Sequence, residues 1–418
     1  MNATEAFASA DAHAAPGAPG RKLRVVVLTP IWPNEHEPLL GPYNVLQLGK
    51  LRDRIDVEVL CAVPWFPMAA RTGQPARAAM LAGLPDRADV QGMPTRYLRQ
   101  LYLPRLGLPI AVPLLGASLA PHLGVVRRAD VVLATWAYPH GCAAVAVAEA
   151  LGKPAVVKVH GSDVNVIAKH PAARLVMSQL LPRARAMVTM SRALGDELAL
   201  VGVPRDRIHL VQNGVDTAVF HARDRAEARR GLGLPADALL VLFVGSLKRE
   251  KGVCDLLQAF AEVRATRPRA RLVLLGEGPA RADVEAARAT LGEALHAPGG
   301  VPAAVVADWL AACDVFTLPS WMEGQPNVVL EALACGRPVV GSRVGGIPDA
   351  LEDLEAGMLV PAQDPAALAA ALGAALEKRW DVDAVRRSAP GSWDESADAL
   401  WQVIRGAHAA HVMHDRPR

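Results

Sequence analysis

The chain has 418 residues, 51% of them hydrophobic, with a formal net charge of +3 and only 4% aromatic residues. That length exceeds one ordinary domain and suits two, while the weak charge and scarce aromatics exclude nucleic acid from the expected partners. Five cysteines (Cys61, Cys142, Cys254, Cys313 and Cys335) are widely separated without a C-x-x-C pair, so they read as buried thiols of a reducing compartment, not as a disulfide framework or zinc site.

Residues 1–20, rich in Ala, Gly and Pro, lack an apolar run of signal-peptide length and are expected as a disordered tail. A buried strand follows at 22–30 (KLRVVVLTP), then others at 56–63, 130–134, 155–159, 186–190 and 208–211. Continuous apolar runs alternating with helix-like segments indicate parallel strands covered on both faces. The stretch 106–120 (LGLPIAVPLLGASLA) is too short, and too broken by Pro and Gly, to span a membrane. With Arg96, Arg99 and Arg105 before it, it reads either as a membrane-surface element or as a buried or partner-facing helix. Residues 213–216 (NGVD) turn into a linker at 216–237. The alternation restarts with strands at 238–245, 270–278, 314–318 and 338–342, and a last helix is expected at 393–409 before a tail at 411–418. The expected fold class is α/β, with two Rossmann-like parallel-sheet domains, 21–215 and 238–378, facing across a cleft. Helices within 379–410 would pack at their junction.

The most informative stretch is 321–346, WMEGQPNVVLEALACGRPVVGSRVGG. Gly324 and Pro326 break the chain before a helix, and Gly336 and Pro338 stop it after two to three turns. The amides at such a helix start form an anion site. Glu323 lies in the loop beside that anion and Glu331 projects from the helix eight residues later. This layout suits a nucleotide diphospho-sugar, with phosphates on the amides and a carboxylate for hydroxyls at either end. Two glutamates at this spacing also fit an ordinary amphipathic helix, so the surrounding residues matter.

Other stretches carry related chemistry. In 243–260 (FVGSLKREKGVCDLLQAF) a glycine turn and basic residues separate a strand from a helix. Lys251 is the candidate charge on a diphosphate, and Gly245 and Gly252 let the backbone approach it. In 276–281 (GEGPAR) Gly276 and Gly278 form a turn, with Glu277 near the donor; the third glycine of a dinucleotide fingerprint is missing. His160, in 159–165 (VHGSDVN), stands at a strand end, where α/β sheets expose catalytic groups; Asp163 reads as a cap for the following segment or as an orienting group for His160. No His, Asp and Glu cluster with metal spacing stands out, so no metal ion and no cofactor are expected.

Pro319, Ser320, Glu323, Gly324, Pro326, Asn327, Glu331, Ala332, Ala334, Gly336, Pro338, Val339 and Val340 together resemble the donor-site signature of glycosyltransferase family 4, retaining enzymes of the GT-B fold. The resemblance runs from about residue 25 to residue 397. It implies that the chain's end crosses back to the first domain. It also implies that Gly41 lies in a glycine loop facing the diphosphate from the opposite wall, and that His160 lies by the reacting sugar. Ser246 departs from the family pattern, which has an arginine there in many members; Lys248 or Arg249 would compensate, or Ser246 would donate a neutral hydrogen bond. His140 stands where the family has an acid, facing the acceptor or replacing that acid on the surface. Residues 296–302 are short and Gly-rich where the family runs a clear strand into a base-contacting loop.

The expected activity is transfer of a hexosyl or N-acetylhexosaminyl group, with retention and without metal, from a nucleotide diphospho-sugar to an acceptor hydroxyl. His160, Glu323 and Lys251 are the candidate catalytic residues. Gly41, Gly245, Ser246, Arg249, Lys251, Glu277, Gly324, Gln325, Pro326, Asn327, Val328 and Glu331 are the candidate donor-binding residues. The expected partners are the donor, a saccharide or lipid-linked saccharide acceptor of bacterial cell-surface glycan assembly, and a membrane surface at its cytoplasmic face. A non-catalytic nucleotide-sugar-binding scaffold of the same fold stays open as the alternative. A glycoside hydrolase fits less well, because two acids on one loop and helix do not flank a glycosidic bond.

Overall fold

The computed structural model describes residues 21–73, 75–103, 108–352 and 355–414. In the first half, β1 (Leu23–Thr29), β2 (Ile55–Trp65), β3 (Arg87–Val90), β4 (Met93–Leu101), β5 (Val131–Thr135), β6 (Ala155–Lys158), β7 (Ala186–Thr189) and β8 (Ile208–Leu210) form one sheet in the order β3-β4-β2-β1-β5-β6-β7-β8. In the second half, β9 (Leu239–Val244), β10 (Ala270–Leu275), β11 (Leu295–Gly299), β12 (Val315–Leu318), β13 (Val339–Ser342) and β14 (Gly357–Val360) form another, in the order β11-β10-β9-β12-β13-β14. The apolar run Val25–Val26–Val27 explains the centre of the first sheet. It pairs in parallel with Val57–Glu58–Val59 on one side and Val131–Val132–Leu133 on the other. Each half is thus a Rossmann-like α/β layer with its own core.

The helices that position the site are α1 (Pro42–Gly49), α2 (Ala111–Leu119), α3 (Arg225–Gly231), α4 (Val253–Thr266), α5 (Ala303–Ala312), α6 (Asn327–Ala334) and α7 (Trp393–His414). Helix α7 belongs by sequence to the second half but packs on the first. Ala397, Leu400, Ile404 and Ala407 are buried in one cluster with Val25, Val27, Leu133 and Val156. Full burial of Leu400 and Ile404 contributes about 1.5–3 kcal/mol each. Gln47 of α1 donates to the Ser396 hydroxyl at 2.8 Å, which fixes the helix in register.

Several elements differ from the sequence expectation. β3 runs antiparallel to β4, so the first sheet is not wholly parallel. Residues 295–299, at the start of the stretch expected as a short Gly-rich segment, form strand β11, parallel to β10 with an irregular register beyond Val273. The linker segment contains α3, whose Arg229 reaches into the second half. Its guanidinium donates to Asp314 Oδ2 at 2.6 Å and to the carbonyls of Ala312 and Ala236. Helix α7 continues to His414, through residues expected as tail. The tail at 1–20, Arg105 and the first two residues of the 106–120 stretch lie outside the described residues. The rest of that stretch contains α2, which buries Leu115 and Leu119 against the first core. Arg96 is paired with Glu58 at 2.6 Å and Arg99 donates to the carbonyls of Leu81 and Leu84, so neither guanidinium is left over for a lipid headgroup. All five cysteines are free thiols; Cys254 is only partly buried. Among the described residues no helix is long and apolar enough to cross a membrane.

Candidate active site

The C-terminal ends of β9 and β12 bring Lys251 and Glu323 together. Lys251 Nζ lies 2.6 Å from Glu323 Oε1, and the Ser320 hydroxyl donates to the same oxygen at 2.7 Å. The approach depends on Gly252, which starts α4 with φ +70°; a Cβ there would meet the Pro319 carbonyl oxygen at 2.0 Å. The Trp321 amide donates to the Glu250 carbonyl and its indole to Asp255 Oδ2, pinning the two loops to each other. Glu323 is buried while Lys251 is a third exposed, so the cation borders open space and the carboxylate sits behind it.

Helix α6 begins at Asn327, with Pro326 as the residue before it and no side chain capping its start. That leaves first-turn amides for an anion. Val328 lies in this turn, and Glu331 follows one turn later. Burial pushes the Glu331 carboxyl up to about 7. Among the described residues no side chain or amide hydrogen-bonds it, so burial alone sets that shift. The glycine turns after β9 and β10, which precede β12 in the sheet order, nest together. A Cβ on Gly276 would strike the Gly245 carbonyl oxygen at 1.9 Å, and the Leu247 amide donates to the Glu277 carbonyl. Gly245, Ser246 and the Glu277 backbone are thereby neighbours. The Glu277 side chain is exposed and lies over Gly299. Arg249 is also exposed, in the turn that carries Lys251.

The first domain supplies the facing wall. Asp163 accepts from the amides of His160, Gly161 and Ala137. It therefore holds the turn that carries His160 and is not a cap: it lies inside the segment 162–165, whose N-cap is Gly161 and which no side chain caps. The His160 ring packs on Tyr43 (centroids 5.2 Å apart) and stacks on Trp136 (6.2 Å). Burial, reinforced by the Lys158 charge, holds its pKa well below the usual range, so the imidazole is neutral near pH 7. Both ring nitrogens are buried without a protein partner. Tyr43 sits in the first turn of α1, immediately after Pro42, and Gly41 precedes them with φ +66°, where a Cβ would meet the Ile31 carbonyl oxygen at 2.7 Å. Gly41 thus shapes the same wall. His140 is buried, not on the surface, and burial pushes its pKa down to about 3.

The two walls touch at Gly324. A Cβ on Gly324 would meet the His160 carbonyl oxygen at 2.4 Å, and one on Gly161 would meet Gly324 Cα at 2.9 Å. Among the candidates from the sequence, Lys251, Glu323, Gly324 and His160 therefore share one place, and Glu331 stands one helical turn along. Gln325 faces elsewhere: its Oε1 accepts from the Asn213 amide in the first domain. Tyr43 and Trp136 were not singled out by sequence reasoning. The available signal was the scarcity of aromatics, with Trp136 directly after β5 and Tyr43 opening the helix that follows β1. Among the described residues no group of three or more His, Cys, Asp or Glu side chains gathers as a metal site.

Comparison with known proteins decides the family. Residues 238–378 match the family described as glycosyl transferases group 1, and residues 82–219 match glycosyltransferase family 4. TuaC of Bacillus subtilis, a glycosyltransferase named for teichuronic acid biosynthesis, is 30% identical over 348 residues, covering 78% of this chain and 82% of its own. The chain belongs to glycosyltransferase family 4. A D-inositol 3-phosphate glycosyltransferase of Acidothermus cellulolyticus is 38% identical over 237 residues, 53% of this glycosyltransferase. That match spans about half of the relative's length, 52%. Sucrose-phosphate synthase from Thermosynechococcus elongatus superposes with a TM-score of 0.63 at 20% identity, covering 94% of this chain and 98% of its own. Anabaena HepE, solved in complex with UDP, gives 0.62 at 19% identity over 94% and 99%. The fold of this glycosyltransferase is therefore GT-B, with α7 as the helix that crosses back.

Proposed function

We propose that the protein transfers a hexosyl or N-acetylhexosaminyl group from a nucleotide diphospho-sugar to an acceptor hydroxyl, with retention at the anomeric carbon and without a metal ion. The observation that carries this reading is the Lys251–Glu323 pair beside an uncapped helix start, with the His160 turn pressed against Gly324. In the reaction the bond from the anomeric carbon to the diphosphate oxygen breaks. The acceptor oxygen forms its bond on the same face, and its proton passes to the departing phosphate. Lys251 and the α6 amides stabilise the developing anion. Glu323 offsets positive charge on the sugar ring, His160 hydrogen-bonds the sugar as a neutral imidazole, and Glu331 grips the ribose hydroxyls. HepE has been solved with UDP and with UDP-glucose, which favours this donor class here.

For the acceptor, we infer a saccharide or lipid-linked saccharide of cell-surface glycan assembly, in keeping with the name of TuaC, at the cytoplasmic face of the membrane. Because Arg96 and Arg99 are engaged inside the protein, membrane docking would rest on the exposed Tyr102 and Ile110. Flotation with anionic liposomes tests it, and absence of co-flotation removes the membrane from the reading.

The deciding experiment is calorimetric titration with UDP, GDP and ADP in EDTA, for the wild type and Glu331→Ala. Metal-free binding of one diphosphate, lost in the variant, supports the donor site and directs a turnover screen of the matching sugar nucleotides. Binding without turnover would leave the scaffold reading in place of the enzyme.

A further inference from the structure

Asn213 stands in the first domain just beyond β8, almost fully buried, and reaches across to the donor loop. Its amide donates to Gln325 Oε1 at 2.7 Å, and its side-chain Nδ2 donates to Asn327 Oδ1 at 2.9 Å. Asn327 is the first residue of α6, the helix whose start is assigned to the diphosphate. Behind Asn213, the Ser396 hydroxyl donates to the Gln212 carbonyl at 2.5 Å, Gln47 Nε2 donates to Ser396 Oγ at 2.8 Å, and Lys158 Nζ donates to Gln47 Oε1 at 2.6 Å. Lys158 is 1% exposed and lies two residues before His160. One hydrogen-bonded line thus runs from the end of β6, two residues before His160, through α1, α7 and the peptide between Gln212 and Asn213, to Gln325 in the loop before α6. Every donor along it points the same way, so each bond polarises the next.

The crossing is polar and incompletely paired. Gln325 Nε2 and Asn213 Oδ1 are both buried without a partner. Water would reach them once the domains part, so the closed form carries a desolvation cost that the open form lacks. An apolar seam would hold the domains shut; this one is built to release.

We propose that Asn213 is a positioning residue of the donor site: it latches the first domain to Gln325 and Asn327, so that domain closure fixes the start of α6. The proposal deepens the glycosyl-transfer reading and rests on it. The test is a double-mutant cycle of Asn213→Ala and Asn327→Ala, with Asn213→Asp as the conservative variant. Donor KM, kcat and the ligand-free radius of gyration by small-angle X-ray scattering are read for each. Each single alanine variant should raise donor KM about five- to tenfold, change kcat by less than about twofold and enlarge the ligand-free particle. The double variant should be no worse than the worse single one. Asn213→Asp should restore the ligand-free radius, because the Asn327 amide can turn and donate to the carboxylate, but not KM, because that charge stands beside the diphosphate end of α6. Additive losses in the double variant, or a wild-type KM and radius in Asn213→Ala, would overturn the latch. If no sugar nucleotide turns over, the transfer reading fails by itself, and the scattering comparison still decides whether Asn213 holds the domains together.

Discussion

Lys251 Nζ lies 2.6 Å from Glu323 Oε1, and the Ser320 hydroxyl shares that oxygen. The cation is therefore held in place before any donor arrives. A diphosphate meets a charge that needs no reorganisation, which is the condition for strong electrostatic stabilisation of a leaving group. Lys251→Ala should lower kcat/KM by about 100-fold or more in steady-state kinetics with the accepted sugar nucleotide. A loss of under about threefold would remove Lys251 from the leaving-group side.

Glu331 gives a proton-linked prediction. Burial raises its carboxyl from 4.5 to about 7 in the folded protein. Its ionisation thus costs stability in the native state, and the chain loses stability from this group as pH rises from about 4.5 towards 7. Glu331→Gln removes that penalty, so its Tm should gain on the wild type across this window. Ribose hydroxyls donating to the carboxylate favour the ionised form and pull the pKa down. Nucleoside diphosphate binding near pH 7 should accordingly release protons, seen by calorimetry in buffers of different ionisation enthalpy. Proton release that persists in Glu331→Gln would assign it to another group.

Gly324→Ala separates folding from closure. The added Cβ would meet the His160 carbonyl oxygen at 2.4 Å, across the cleft rather than within one core. The domains can relieve that clash by parting. We expect at least a tenfold loss in kcat/KM with a Tm within about 2 °C of wild type, measured by kinetics and calorimetry. A fall in Tm with intact kinetics would mean that the contact matters for stability alone.

Arg229→Ala tests the opposite case. The Arg229 side chain is 5% exposed and its partner Asp314 is 14% exposed. Asp314 Oδ2 also accepts from the Leu240 amide at the start of β9. Removing the guanidinium leaves a buried carboxylate with weaker compensation, at a cost of about 3–5 kcal/mol. Denaturant unfolding should show the loss in the second domain's transition, and the first domain's transition should keep its midpoint.

The parallel strands flanked by parallel strands on both sides were legible because burial on two faces demands unbroken apolar runs, as at Val25–Val26–Val27. β4 was not, since it carries Arg96 and Arg99 and lies between β2 and the antiparallel hairpin strand β3. Nor was β11, an edge strand reading LHAPG with Pro and Gly inside it. Helix α3 has no apolar stripe to betray it, because the residue it buries is Arg229. In the site, Lys251, Glu323 and Glu331 announced themselves by glycines and helix punctuation close by in sequence. The contacts of His160 with Tyr43, and of Asn213 with Gln325, join residues more than 100 positions apart. No local spacing encodes such pairs; tertiary packing creates them.

The return of α7 to the first sheet means that the chain passes between the halves twice. The passes lie side by side: Val215 bridges Ser392 in parallel, and Gly214 sits so close to Trp393 that a Cβ would meet its nitrogen at 2.3 Å. Two crossing segments joined by one such bridge behave as a pair of pins through one axle. Bending about the line perpendicular to them is easy, whereas twisting one half against the other would shear the bridge. Such a crossing favours hinging over twisting, a motion that would carry Gly324 straight towards and away from His160.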